Sequence, residues 1–381
     1  MDKAGRKRIG ILLVSDDIGV VYYLLSIVKS LNFLPDDEKP EIVILFETNC
    51  EKYLNQFDFP YVSKVKIDYN KHKKAKYLLS LILRSNLFVN AIIRQNRLDG
   101  IFPLMDAPVR PNVKACKVAS WIPDFQHKFY PGFFTRQNLL LRETRFNKIL
   151  HNCDYVFLSS ENAHSHLKQF YKIPKSGSAI RVMPFVSMIN DLNLPDFSAI
   201  EKKYTINTPY FLVSNQFYAH KNHIAVFKAA KKLKEEGLNF RIFMTGKTED
   251  YRDPQFFGTL TDFIEENKLG EIVQILGLIP REDQLALLKR SLAVIQPSKF
   301  EGWSTIIEDA KSFQVQVICS AIDVHREQMG DRGFYFEPDD ADELAAIIRH
   351  FVLKTAVLKP VFTNYEERIQ QFAGTFVGVF E

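Results

Sequence analysis

Apolar and β-branched residues gather in short runs along this chain, separated by longer stretches whose apolar positions recur every three or four residues. From Tyr210 onward the alternation is regular. The runs YFLVSN, FRIFMTG, IVQILG, LAVIQPS and VQVICS alternate with amphipathic NHIAVFKAAKKLKEE, PQFFGTLTDFIEENK and REDQLALLKRS. A short continuous apolar run reads as a strand buried on both faces, and a 3.6-residue period reads as a helix with one face on a core. Strand and helix in alternation predict βαβ units, and so a parallel sheet covered on both sides. The front half repeats the rhythm in RIGILLVS, EIVILFET, GIFPLM, VASWIPD, YVFLSS and IRVMPFV. The expectation is two doubly wound α/β domains in tandem, over residues 1–190 and 209–360. Between them residues 191–208 read as a linker, where periodicity lapses near Pro195 and Pro209. Residues 361–381 read as a helix that caps the second domain or packs back on the first.

The length of 381 residues agrees with two domains, since a single core stops growing well below that size. The opening MDKAGRKRIGILLVS has the basic start and apolar run of a secretion signal, but Asp16 and Asp17 cut the run short, and it reads as a first strand. No apolar stretch is long enough to span a bilayer. Cys50, Cys116, Cys153 and Cys319 are scattered, with none at the short spacings of a zinc site or redox pair, so reduced thiols in a cytoplasmic setting are expected. Charge is uneven. Residues 1–190 carry 28 Lys and Arg against 17 Asp and Glu, and the remainder carry 22 against 28. A basic front half faces something anionic. Residues 70–97, NKHKKAKYLLSLILRSNLFVNAIIRQNR, place Lys71, Lys73, Lys74 and Lys76 before a leucine-rich segment. Such a stretch suits either a core helix with a solvated start or the surface of an anionic bilayer. Nucleic acid is a poorer partner for that charge, because no binding motif accompanies it.

In doubly wound sheets, ligands bind outside the carboxyl ends of the strands. LAVIQPS ends at Ser298, so KFEGWST is such a loop and IIEDAKSF begins the helix after it. Thr305 and Glu308 have the spacing of a capping box. Glu301 and Asp309 have no such assignment. Gly302 lets backbone approach a ligand, amides at a helix start suit a diphosphate, and flanking carboxylates accept hydrogen bonds from diols. That combination points to a nucleotide sugar, held by Glu301, Gly302, Trp303, Ser304, Thr305 and an acid at 308 or 309.

The stretches PSKFEGWSTIIEDAKSFQVQVICSAIDVHREQ, SNQFYAHKNHIAVFKAAKKL, LGLIPREDQLALLKRSLAVIQPS and SWIPDFQHKFYPGFF together resemble the retaining glycosyltransferases of family 4. Their GT-B fold has two Rossmann-like domains facing across a cleft. The resemblance implies that Glu301 contacts hydroxyls of the transferred sugar. It also implies that a second acid, which the family spacing puts at Asp309, holds the ribose, with Glu308 as the alternative. Lys221 matches the family's phosphate-binding lysine. Where the family has an arginine this chain has Gln216, and His220, His223 and Lys247 are candidates for its replacement. The resemblance further implies that His127 touches the transferred sugar, with Asp124 orienting it or binding nearby, and that Gly19 lies at a turn facing donor and acceptor. That turn, VSDDIGVVYY, lacks the G-x-G-x-x-G of dinucleotide-binding enzymes. No metal ligand set and no cofactor are expected.

The activity expected is retaining transfer of a hexose from a UDP- or GDP-sugar to a glycan or lipid-linked acceptor, in surface polysaccharide assembly. Two rivals stand beside it: a nucleotide-sugar epimerase, and a protein that binds the nucleotide sugar without turnover.

Overall fold

The strand runs form two parallel sheets in a computed structural model that describes residues 5–174, 177–189, 192–250 and 252–381. Met1–Ala4, and Asn190 and Asp191 on either side of the expected boundary between first domain and linker, lie outside the described residues. The first sheet has the order β3 (Val62–Lys66), β2 (Glu41–Phe46), β1 (Arg8–Leu13), β4 (Gly100–Phe102), β5 (Lys117–Ile122), β6 (Tyr155–Leu158), β7 (Ala179–Val182). The second has the order β10 (Val273–Gly277), β9 (Arg241–Thr245), β8 (Tyr210–Ser214), β11 (Val294–Gln296), β12 (Val317–Ser320), β13 (Phe334–Phe336). Strand order therefore reverses next to β1 and next to β8, as in a Rossmann domain.

The chain divides into two units, Met1–Met188 with Glu366–Glu381, and Ile189–Tyr365. Helices of the first are α1 (Ile18–Ser30), α2 (Lys73–Ile82), α3 (Leu87–Gln95), α4 (Gln126–Phe129), α5 (Arg136–Asn152) and α6 (Glu161–Phe170). Those of the second are α7 (Phe197–Tyr204), α8 (His223–Glu235), α9 (Phe256–Glu266), α10 (Arg281–Arg290), α11 (Thr305–Phe313), α12 (Asp323–Met329) and α13 (Ala341–Val352). The last helix, α14 (Tyr365–Val377), belongs to the first unit except for its opening residue.

Central strands are almost fully buried, which is why they read as unbroken apolar runs. In the first unit, Tyr23 of α1 stacks on Trp121 of β5 with ring centres 4.0 Å apart. α14 turns Ile369, Phe372, Phe376 and Val377 inward, and Phe376 packs against Phe102 and Phe157. Beyond the helix, Phe380 lies over Gly100, where any Cβ would come within 2.2 Å of its ring. The stretch expected as linker contains α7, whose Phe197, Ile200 and Tyr204 pack beside Tyr210 and Leu287. Its helical spacing of apolar positions is only two turns long, too brief to stand out from the surrounding prolines.

Candidate functional site

Between β8 and β11, at the reversal of strand order, apolar strands end in polar residues that form one network. Asn215 Nδ2 donates to Gln296 Oε1. Gln296 Nε2 in turn donates to Glu301 Oε1 at 2.9 Å and to Ser304 Oγ at 2.7 Å. Lys221 Nζ reaches the same Glu301 oxygen at 2.6 Å. Both members of this ion pair are largely enclosed, with side chains 17% and 10% exposed.

Local backbone geometry explains how these groups meet. Gly246, just past β9, has φ +146°, and a Cβ there would lie 2.0 Å from the carbonyl oxygen of Asn215. Only glycine lets the ends of β8 and β9 approach so closely. The turn holding Lys221 ends at Asn222, whose φ is +56°. Asn222 Nδ2 donates to the carbonyls of Pro297 and Pro338 at 3.1 and 2.7 Å, pinning that turn to the loops after β11 and β13.

Burial acts to raise the Glu301 pKa, but the Lys221 charge and hydrogen bond outweigh it and hold the carboxyl below its ordinary value. Two imidazoles lie in the field of this pair. Burial, reinforced by Lys221, pushes His220 down to about 3, and burial pushes His325 down to about 4 although Glu301 opposes it. Both are therefore neutral near pH 7. His325 is fully buried and its Nδ1 lies 3.0 Å from the hydroxyl and carbonyl oxygens of Ser320.

The capping box expected from Thr305 and Glu308 does not form. The helix is preceded by Ser304, one residue earlier than that motif requires, and Ser304 makes no side-chain cap. Glu308 thus falls one position past the residue that could reach back to the cap. Its carboxylate accepts from Lys311 Nζ at 2.8 Å and Gln328 Nε2 at 2.9 Å, while Gln328 also clasps the Ser304 backbone. Asp309 is fully buried, and both its oxygens accept from the Arg281 guanidinium, at 2.8 and 2.5 Å. Arg281 is joined through Gln284 to Ser214 at the end of β8.

The remaining expected residues are dispersed. Gly302 and Trp303 are partly buried beside Glu301, and Thr305 is exposed. Gln216 and Lys247 are exposed; the Lys247 carbonyl accepts from the Phe217 amide at 2.9 Å. His223 is fully buried and stacks on Phe217 at 4.4 Å.

In the first unit, Gly19 is exposed at the start of α1, where its amide donates to Asp17 Oδ1 at 2.9 Å. Asp124 Oδ1 accepts from the Gln126 amide at 2.9 Å. His127 is 2% exposed, and its Nε2 lies 3.1 Å from both Glu143 Oε1 and the Tyr171 hydroxyl. Burial and the Arg142 charge lower its pKa. As placed, this ring ties α4 to α5 and Tyr171 rather than facing solvent.

Sequence reading missed Asn215, Gln296, Arg281, Gln328 and His325. The available signal was a polar residue closing an apolar strand, as in VIQPS and LVSNQ. Among the described residues no group of three His, Cys, Asp or Glu could hold a metal ion.

Two parallel doubly wound units with this strand order define the GT-B class. Solved structures share the fold along the whole chain. A sucrose-phosphate synthase from Thermosynechococcus elongatus has a TM-score of 0.67 at 15% identity, over 98% of this chain and 97% of that one. Anabaena HepE, solved in complex with UDP and glucose, has a TM-score of 0.62 at 15% identity, over 98% of this chain and 96% of that one. Residues 196–368 match the family of glycosyl transferases group 1, a stretch that lies almost wholly within the second unit. The O-antigen chain mannosyltransferase RfbU of Salmonella typhimurium is 24% identical over 251 residues, which span 65% of this chain and 64% of that protein.

Proposed function

We propose that the chain is a retaining glycosyltransferase that moves a hexose from a nucleoside-diphosphate sugar to a glycan or lipid-linked acceptor in surface polysaccharide assembly, without a metal or cofactor. The observation that carries this reading is the enclosed Lys221–Glu301 pair at the strand-order reversal of the second unit, braced by Gln296 and Asn215. Lys221 offers a cation to the departing diphosphate, and first-turn amides of α11, which the Ser304 side chain does not cap, offer donors. When the diphosphate attracts Lys221, Glu301 is released to accept hydrogen bonds from sugar hydroxyls while Gln296 holds it in place. Asp309, braced by Arg281 beside β8, is the acid assigned to the ribose. UDP is the first nucleotide to test, because HepE was solved with it.

The test is a thermal-shift screen with UDP, GDP, ADP and their sugars, since a ligand that binds only the folded state raises the melting temperature. A shift with one nucleotide that vanishes in Lys221→Ala supports the donor site, and no shift with any nucleotide refutes it. Proton NMR of the sugar nucleotide, incubated first without and then with acceptor, separates the rivals, because the ring couplings report inversion at a sugar carbon. An epimerase changes the sugar without acceptor; a transferase leaves it intact and consumes it when acceptor is added.

A further inference from the structure

Helix α2 is built inside out. Lys73, Lys76, Tyr77 and Ser80, at helical spacing, turn toward the protein. Lys73 Nζ lies 2.6 Å from Asp106, Lys76 Nζ sits 3.5 Å above the Phe88 ring and reaches the Asp68 carbonyl, and the Ser80 hydroxyl is buried. The outward arc carries Leu78, Leu79, Leu81 and Ile82, and it continues through Leu83 into Leu87 at the start of α3. These six side chains are exposed, Ile82 by 68% and Leu78 by 59%. A surface helix of a globular protein normally has the opposite arrangement. An apolar patch of this kind, contiguous in sequence and ringed by polar residues, marks a surface that meets something else.

Charge says what that partner is. From Tyr69 to Leu98 there is no acidic residue, while Lys71, Lys73, Lys74, Lys76, Arg84, Arg94 and Arg97 fall within it. Lys71, Lys74 and Arg84 are exposed at the two ends of the leucine patch. Leucines in the middle with cations at the rim are the composition of a helix lying in the headgroup region of an anionic bilayer. Length argues against crossing. No single helix among the described residues is long and apolar enough to span a membrane, and α2 and α3 are bent by 103° at their junction. Arg84, with φ +46°, makes that corner. Beyond it α3 buries Val89, Ile92 and Ile93 in the core of the first unit, so α2 is anchored from one end while its leucines remain outside.

We infer that α2 and the corner into α3 form a membrane-docking face, on which the enzyme rests at an anionic lipid surface. The inference stands on this face alone and holds whatever the donor of the second unit proves to be.

The experiment is sedimentation of the full chain with vesicles of phosphatidylcholine alone and of phosphatidylcholine with 30% phosphatidylglycerol, at 50 and 500 mM salt. The expected result is binding to the anionic vesicles at low salt, at least tenfold stronger than to neutral ones. Leu78→Asp/Ile82→Asp should weaken it at least tenfold, and Lys71→Gln/Lys74→Gln/Arg84→Gln should remove the preference for anionic lipid. Both variants change exposed side chains, so their far-ultraviolet circular dichroism and urea midpoint should match the parent. Absence of binding at low salt overturns the proposal, and so does binding that Leu78→Asp/Ile82→Asp leaves unchanged. A parent that sediments as a dimer and becomes a monomer in Leu78→Asp/Ile82→Asp, with no vesicle binding, would assign the face to a second copy of the chain instead.

Discussion

Exchanging Lys221 for methionine keeps most of the side-chain volume and removes the cation that lies at hydrogen-bond distance from Glu301. Both partners are largely enclosed, so the variant strands a carboxylate that is still held by Gln296. Breaking an enclosed pair in this way costs about 3–5 kcal/mol. Without Lys221 the burial that raises the Glu301 pKa loses its main opponent, so the carboxyl of the variant should titrate above its ordinary value. The sign of the pH dependence follows. In the parent, Glu301 contributes stability that is present above its unfolded pKa and lost as pH falls through its depressed folded value. In Lys221→Met the deficit is greatest near pH 8 and shrinks as pH falls toward 5, where the stranded acid takes up a proton. The double variant Lys221→Met/Glu301→Gln should be more stable than Lys221→Met at pH 8, by about 1–3 kcal/mol. Urea unfolding of parent, single and double variants at pH 5 and 8 measures this. A deficit under about 0.5 kcal/mol, or one independent of pH, would refute the reasoning, because the pair would then behave as an exposed one.

Other outcomes follow from separate features. Gly246→Ala should destabilise by more than about 3 kcal/mol, because the new Cβ meets the Asn215 carbonyl in a backbone conformation that alanine avoids; a urea midpoint within error of the parent would contradict that. His220, His223 and His325 have folded pKa values of about 3, 3 and 4 against an unfolded value near 6.5. Their contribution is complete above pH 6.5 and is lost as pH falls toward those values, at about 2 kcal/mol per fully engaged histidine by pH 5. A urea midpoint flat from pH 7 to pH 5 would show that these rings are not held neutral. Phe380→Ala should cost about 3–5 kcal/mol, since it opens a void over Gly100, and a loss under 1 kcal/mol would mean the ring is not packed there.

Periodicity made the buried middle of each sheet legible, because a strand covered on both faces has to be apolar throughout. It failed at one edge of each sheet. β3 exposes Ser63, Lys64 and Lys66 and has a partner on one side only, and β13 is three residues long, so neither produces the pattern of a buried strand. At the site, the residue types and the loops that carry them were readable, but their pairings were not. Glu301 and Lys221 are 80 positions apart, Asp309 and Arg281 are 28 apart, and Glu308 and Gln328 are 20 apart. Local spacing proposed a cap for Glu308, and tertiary contacts with Lys311 and Gln328 took the carboxylate instead. His127 shows the same limit. A histidine in a loop after a strand signals chemistry, yet Glu143 and Tyr171, which draw it inward, are supplied by distant elements.

The placement of α14 within the first unit has a consequence for the order in which the protein can be made. Ribosomes deliver Met1–Met188 first, yet Phe372, Phe376 and Phe380, which cover Tyr23, Phe102 and Gly100, arrive only after all of Ile189–Tyr365 has been synthesised. At ordinary translation rates that delay is roughly 10 to 35 s. The unit begun first is therefore completed last. A nascent chain stalled just after Tyr365 would present a completed second unit and a first unit with an open aromatic wall, a surface that chaperones bind and that other stalled chains can stick to.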